Sequence, residues 1–382
     1  MSGSGGDAMT EIESIAELEV WYHDQLVGRM ALTQDQRCAF QYDQNYLKAG
    51  VSLSPFHLPA SPELFIAPPT PFEGNFGVFA DSLPDGWGSL VLDRYLRNAG
   101  LSPAALTILQ RLSLVGSNAR GALEYRPDNS IRGSLRSIDL VELARQVEEL
   151  YQSKDYNDEA LETVYRYSGS SGGARPKVFI TSDGDEWLVK FPASIDPDDV
   201  GVQEYEYSLL AKRCGIVMPE TCLFDDRYFA TQRFDRSPQG KIHTLSAAGL
   251  LHADYRIPSL DYATLLIACQ RLTRDMREVE QLFRLMVFNV VIGNRDDHAK
   301  NFSFQLHGRD WKLAPAYDLL PSYGFNGQHT TTINGSGDPH REDLLACGAK
   351  VGLKTGYMDA VIDEIVRTCR SERMAKNVLS QT

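Results

Sequence analysis

Residues 285–304 read LMVFNVVIGNRDDHAKNFSF, and the rest of the chain is interpreted outward from them. The run from Val279 to Ile292 is almost wholly apolar at helical length, which predicts a buried helix that stops at Gly293. A polar run follows at once, Asn294-Arg295-Asp296-Asp297-His298-Ala299-Lys300-Asn301, and then a strand-like Phe302-Ser303-Phe304-Gln305-Leu306. A buried helix that ends in a loop dense with carboxylate, imidazole, amine and amide groups predicts chemistry at that end of the helix.

Toward the C-terminus a second short strand at Trp311-Lys312-Leu313 completes a hairpin. The segment Ala314-Pro315-Ala316-Tyr317-Asp318-Leu319-Leu320-Pro321 then interrupts regular structure, and a last helix spans roughly Tyr357 to Thr368. Toward the N-terminus lie a helix at Tyr262–Leu272, a short strand at 228–234 (YFATQRF) and a helix at Val202–Cys214 closed by Gly215. Before them, Gly169-Ser170-Ser171-Gly172-Gly173 feeds a hairpin of Lys177–Thr181 and Glu186–Phe191 about an Asp183-Gly184 turn. Side chains alternate along a strand, so Lys190 shares a face with Leu188, opposite Trp187, Val189 and Phe191.

The first third of the chain has another pattern. Three strand-like runs, LEVWY, QLVGRMALT and CAFQYD, are separated by polar turns such as His23-Asp24 and predict a small antiparallel meander. After a proline-rich loop the period becomes helical in WGSLVLDRYLRNAG and TILQRLSLVG, ending at Gly100 and Gly116. A polar connector at 126–137 precedes an amphipathic helix at 138–152. The expected division is a flexible Gly/Ser leader or tag at 1–8, an α+β unit at 9–125, a region at 126–236 holding the Gly/Ser loop and Lys190, and a mainly helical region at 237–382.

Composition narrows the function classes. The 382 residues are 43% hydrophobic and 23% charged, which suits globular cores rather than disorder. No run approaches the ~18 apolar residues of a membrane helix. The formal charge of −13 disfavours direct DNA binding. Six scattered cysteines without a CxxC pair fit neither a disulfide framework nor a zinc cage, and a reducing cytoplasm is expected.

Phosphoryl transfer from a nucleotide needs backbone donors over the phosphates, a cation on them, metal-binding oxygens and a carboxylate to take the acceptor hydroxyl's proton. Candidates for all four occur in kinase order. Asp296 and Asn301 have the D-x-x-x-x-N spacing of a catalytic base and a metal-binding amide, which Asp297 would break. The hairpin after them would return Asp318 to the same place as a second metal ligand. Lys190 and Glu206, from a strand and the following helix, would form the ion pair that aligns the nucleotide. Ser171, Gly172 and Gly173 would supply the loop, although neither GxGxxG nor GxxxxGK[ST] is present. Taken singly, each feature also suits a plain role: a flexible loop, a solvated lysine, a capped acidic turn. A hydrolase metal site on Asp296, His298 and Asp318 is a further alternative.

Five stretches carry a family resemblance: SGSSGGARPK (168–177), LVKFPAS (188–194), QRFDR (232–236), GNRDDHAKNFSF (293–304) and YDLLPS (317–322). Together they resemble the HipA family of bacterial serine/threonine kinases. FADSLPDGWGSLVLDRYL (79–96) and LTILQRLSLVGSNARGALEY (106–125) resemble that family's N-terminal subdomain.

The resemblance implies an α+β, two-lobed protein-kinase-like fold with an additional N-terminal β-rich α+β subdomain. It implies Asp296 as catalytic base, Asn301 and Asp318 as magnesium ligands, and Lys190, His298 and Lys300 beside the ATP phosphates. The backbone from Gln232 to Phe234 would be the adenine hinge. It further implies autophosphorylation in the Ser/Gly loop at Ser170, with Ser168 and Ser171 as alternatives. The implied setting is a toxin–antitoxin pair linked to bacterial persistence, with a HipB-like DNA-binding antitoxin that provides the only contact with DNA. The implied target is a translation-related protein such as an aminoacyl-tRNA synthetase. A small-molecule phosphotransferase and a nucleotide-binding pseudokinase scaffold are the competing readings.

Overall fold

The computed structural model describes residues 13–130, 139–152, 157–169 and 172–375. The expected meander forms from strands Glu17–Tyr22, Gln25–Leu32 and Cys38–Tyr42. His23 and Asp24 both adopt positive φ at its first turn, the backbone twist a two-residue hairpin needs. Strands Leu64–Ile66 and Leu123–Arg126 join opposite edges to make a five-stranded antiparallel sheet. Its inner face buries Leu18, Val20, Met30 and Phe40.

The helix Ile108–Val115 starts on a capping box between Thr107 and Gln110 and ends at Gly116. The helix Gly86–Asn98 lies within the first expected unit but packs elsewhere. Its Trp87 and Val91 share a small core with Leu143 and Val147 of helix Leu140–Gln152, with Leu161 and Val164, and with Val178 and Val189 of the middle sheet.

That middle sheet has four strands, in the spatial order Lys177–Ser182, Asp185–Lys190, Tyr228–Gln232 and Thr221–Phe224. The helix Val200–Arg213 connects its second strand to Thr221. A helix at Asp158–Ser168, absent from the sequence reading, precedes the Ser/Gly loop. Its signals were an Asn157 cap and two acids in the first turn, with Ala160, Leu161 and Val164 forming the buried stripe.

The C-terminal part contains helices Tyr262–Thr273, Met276–Ile292, Arg341–Ala349 and Thr355–Ser371. A three-stranded sheet of His243–Ser246, Ser303–His307 and Asp310–Leu313 packs with them. Arg341–Ala349 was also absent from the sequence reading. Helix Met276–Ile292 buries Val279, Leu282, Phe283 and every residue from Leu285 to Ile292, and ends on Gly293 at φ +71. Each fully buried Leu, Ile or Phe contributes ~1.5–3 kcal/mol, which accounts for the position of this helix at the centre. The core around it is continuous with the core of the N-terminal sheet, so the two parts are packed as one body. All six cysteines are free thiols.

Candidate active site

The loop after Gly293 is held by its own polar side chains. Asn294 Nδ2 donates to Asn289 Oδ1 and to the Asp318 carbonyl, both at 3.1 Å, and so ties the end of the central helix to the 317–322 segment. The Asp296 backbone N–H donates to Ser322 Oγ (2.7 Å), and Asn301 Nδ2 donates to the Asp296 carbonyl (2.7 Å). These bonds leave the Asp296 carboxylate facing a cleft of about 510 Å³.

Asp297 points the other way and is fully buried. It accepts from the Thr330 and Thr331 N–H groups (3.0 and 3.2 Å) and from Tyr262 OH (3.0 Å), and it pairs with His329 Nδ1 (2.9 Å). The two adjacent aspartates therefore differ in kind: Asp297 locks the 329–331 segment to the loop, while Asp296 is available to a ligand.

The cleft also brings together Gly172, Gly173, Lys190, Gln232, Phe234, His298, Lys300, Asn301 and Asp318. Asp318 adopts φ +55, uncommon for a residue with a side chain, and its carboxylate meets Lys190. The second partner of Lys190 is Glu204.

This corrects the expected pairing with Glu206. On an α-helix, residues two apart lie on nearly opposite faces, so only one glutamate of Val200–Arg213 can turn toward the sheet. That residue is Glu204, which is buried, whereas Glu206 is exposed and outside the cleft.

One cation thus serves two carboxylates. Burial alone would lower the Lys190 pKa, but Asp318 and Glu204 outweigh it and hold the amine firmly protonated. Burial likewise favours a neutral Asp318, yet Lys190 and Lys177 keep its carboxyl well below the usual range. Asp296 remains accessible to solvent, but partial desolvation by the cleft around it pushes its pKa upward, with Asp318 and Asp297 adding to the shift and His298 opposing. A carboxylate raised in this way is a better proton acceptor than one of ordinary pKa.

Lys177 was missed. It sits directly opposite Lys190 in the hairpin register and is buried, and its pKa is lowered by burial and by its neighbour's charge. The Asp183-Gly184 turn fixes that register, so the pairing could have been read from the sequence.

At the other end of the cleft Phe234 stacks on Tyr317 (ring centroids 5.4 Å, 25° between planes), and Phe179, Leu188, Met218 and Phe229 supply apolar walls. The Phe234 carbonyl already accepts from Gln305 Nε2 (2.8 Å), and the Gln232 N–H donates to the Glu220 carbonyl (2.8 Å). The N-terminal part contributes Asp81, Asp85 and Arg120 to the cleft, none of which local sequence patterns indicated. Arg120 Nη2 donates to Ser303 Oγ (2.7 Å) and Tyr317 OH (3.0 Å), beneath the aromatic pair.

Ser168 is buried at the end of its helix and accepts from Trp87 Nε1 (3.0 Å), so its hydroxyl is not presented to the cleft. Ser170 and Ser171 lie outside the described residues.

Comparison with known proteins agrees with this architecture. The pattern of the HipA N-terminal domain matches residues 18–126, and that of the HipA-like C-terminal domain matches residues 169–373. A Sinorhizobium fredii protein named "Putative kinase Y4dM" is 25% identical over 372 residues, covering 84% of this chain and 81% of that protein. A second protein of the same organism, Y4mE, also named as a kinase, is 29% identical over 109 residues, covering 26% of each chain. Among solved structures, the Shewanella oneidensis HipA from a complex of HipA, HipB and operator DNA superposes with a TM-score of 0.70 at 19% identity. That match covers 94% of this chain and 92% of the other, so the two chains share one fold over nearly their whole length. With both domain patterns matched in order along the chain, the protein belongs to the HipA family.

Proposed function

We propose that the chain is an ATP- and magnesium-dependent serine/threonine protein kinase. The observation that supports this most is the convergence of Lys190, Glu204, Asp296, Asn301 and Asp318 on one cleft, beside an aromatic end suited to a purine. Asp296 takes the proton of the acceptor hydroxyl. Lys190, oriented by Glu204, binds the phosphates, and His298 and Lys300 flank them. The backbone from Gln232 to Phe234, whose Gln232 and Arg233 N–H groups already donate to the Glu220 and Glu186 carbonyls, is the proposed hinge beside the adenine.

A carboxylate and an amide suit magnesium, which is usually held by one or two protein oxygens together with substrate phosphates. No group of three or more His, Cys, Asp or Glu residues is arranged to hold a metal among the described residues, and such a cage is not needed here. Asp318 and Asn301 would hold the ion, whose charge would offset that developing on the transferred phosphoryl group.

The proposed setting is a toxin–antitoxin pair in the cytoplasm. A HipB-like DNA-binding antitoxin would supply the cationic surface that a chain of net charge −13 lacks. The proposed target is a translation-related protein, with aminoacyl-tRNA synthetases the first to assay, and the proposed self-modification site is Ser170. No helix among the described residues is long and apolar enough to cross a membrane.

Incubation with magnesium and ATP, followed by intact-mass analysis and phosphopeptide mapping, tests the reading. A phosphoryl increment on the chain or an added protein, absent in Asp296→Asn, is the expected result. Modification of Ser168 or Ser171 without Ser170 would reject the assigned site.

A further inference from the structure

Asp85 stands immediately before the helix Gly86–Asn98, where an aspartate usually caps the first turn. Here it makes no capping bond to the helix. Its carboxylate turns into the cleft and accepts from two donors, Lys300 Nζ and the Gly173 backbone N–H. The pair is well shielded, with side chains 13% and 14% exposed. Burial raises the Asp85 pKa, but Lys300, Gly173 and Lys177 together pull it below the ordinary value, so the group is an anion.

The neighbouring backbone grips the same residue. The Trp87 N–H donates to the Gly173 carbonyl (2.8 Å), and Gly86, at φ +46, lies so close that a Cβ there would fall 2.3 Å from that oxygen. Lys177 Nζ donates to the Gly172 carbonyl on the near side. Lys300 is steadied by Tyr255, whose ring centroid is 4.3 Å from Nζ.

A lysine ammonium and a glycine-loop N–H aimed at one point form a donor set for phosphate oxygens. We infer that Lys300, Gly173 and Lys177 form an anion seat of the phosphate class, and that Asp85, from the N-terminal part of the chain, is its built-in occupant. A phosphate ligand reaches the seat by displacing the carboxylate from Lys300 and Gly173. Like charges in a shielded site repel strongly, so the resting protein binds such a ligand below the intrinsic capacity of the seat. The N-terminal part therefore sets the affinity of the cleft through one carboxylate.

The identity of the physiological ligand rests on the nucleotide reading above, but the seat itself does not, so the first probe is inorganic tripolyphosphate without added metal. Titration calorimetry on the full chain should show Asp85→Asn binding about tenfold more tightly than wild type and Lys300→Met about tenfold more weakly. Asp85→Ser, which removes the charge while keeping an acceptor for the Gly173 N–H, should follow Asp85→Asn. Thermal unfolding without ligand identifies any variant that fails to fold. Equal or weaker binding by both Asp85 variants overturns the inference, as does the absence of binding in every protein.

ATP titrated in parallel separates the two readings. Tripolyphosphate binding that tightens in Asp85→Asn, with ATP bound no better than tripolyphosphate, supports the seat and rejects the nucleotide reading. ATP binding in every protein, with neither ATP nor tripolyphosphate bound more tightly by the Asp85 variants, rejects the seat and leaves the nucleotide reading standing.

Discussion

Glu204 and Glu206 differ by two positions on one helix, and their fates separate at the residue scale: one is buried against Lys190, the other faces solvent. Glu204→Gln removes the charge that orients Lys190 and should lower phosphoryl transfer tenfold to a hundredfold, about what a small misplacement of a positioning group costs. Glu206→Gln should leave the rate unchanged, and steady-state kinetics on the two variants distinguishes them. Asp296 carries a further expectation. A base must be ionised to accept a proton, and partial desolvation in the cleft raises this carboxyl above its ordinary 3.8. The acidic limb of kcat/KM against pH should therefore have its midpoint above 3.8 and vanish with the residual activity of Asp296→Asn. The sequence spacing pointed to Asp296 rather than Asp297, and the structure gives a physical difference between them. Choosing between the glutamates needed the helix phase relative to the sheet, which depends on the packing of Leu210, Ala211 and Tyr207 in the main core.

At the scale of elements, local signals and long-range contacts were not equally legible. The meander, the hairpin at Asp183-Gly184, the helix closed by Gly116 and the central helix closed by Gly293 follow from period and turn chemistry that operate within a few residues. The contact of Asp85 with Lys300 spans 215 residues and leaves no local pattern. The helix Asp158–Ser168 was passed over because its buried stripe is short and its tyrosines blur the apolar period. One contact between elements is testable directly. The short helix Gly77–Ala80 crosses Ala247–Leu251 so closely that a Cβ on Gly77 would lie 2.2 Å from the Gly249 carbonyl. Neither backbone can yield without disturbing the other, so Gly77→Ala should cost at least ~1–3 kcal/mol in urea unfolding.

On the scale of the whole molecule, the N-terminal sheet and the helical part share one core, and polar bonds cross between them. His243 is buried, and its Nε2 donates to the Leu53 carbonyl (2.9 Å), joining the C-terminal sheet to the loop beyond the meander. Burial lowers its pKa from 6.5 to about 4. Below pH 6.5 the unfolded chain takes up a proton that the folded one refuses, so this group reduces stability as the pH falls from about 6.5 to about 4. The loss approaches roughly 3 kcal/mol at the lower end. His243→Gln should remove that contribution, and urea midpoints at pH 7 and pH 5 should lie closer together in the variant than in the wild type.

The central claim is that this cleft transfers a phosphoryl group through Asp296. Its most direct test is the intact mass of a protein acceptor, either the chain itself or an added target, after incubation with magnesium and ATP, using wild type and Asp296→Asn shown to bind ATP equally. The account predicts a phosphoryl increment with the wild type and none with the variant. Equal increments with both, or ATP bound by the wild type without any transfer across translation proteins and the chain itself, would contradict it.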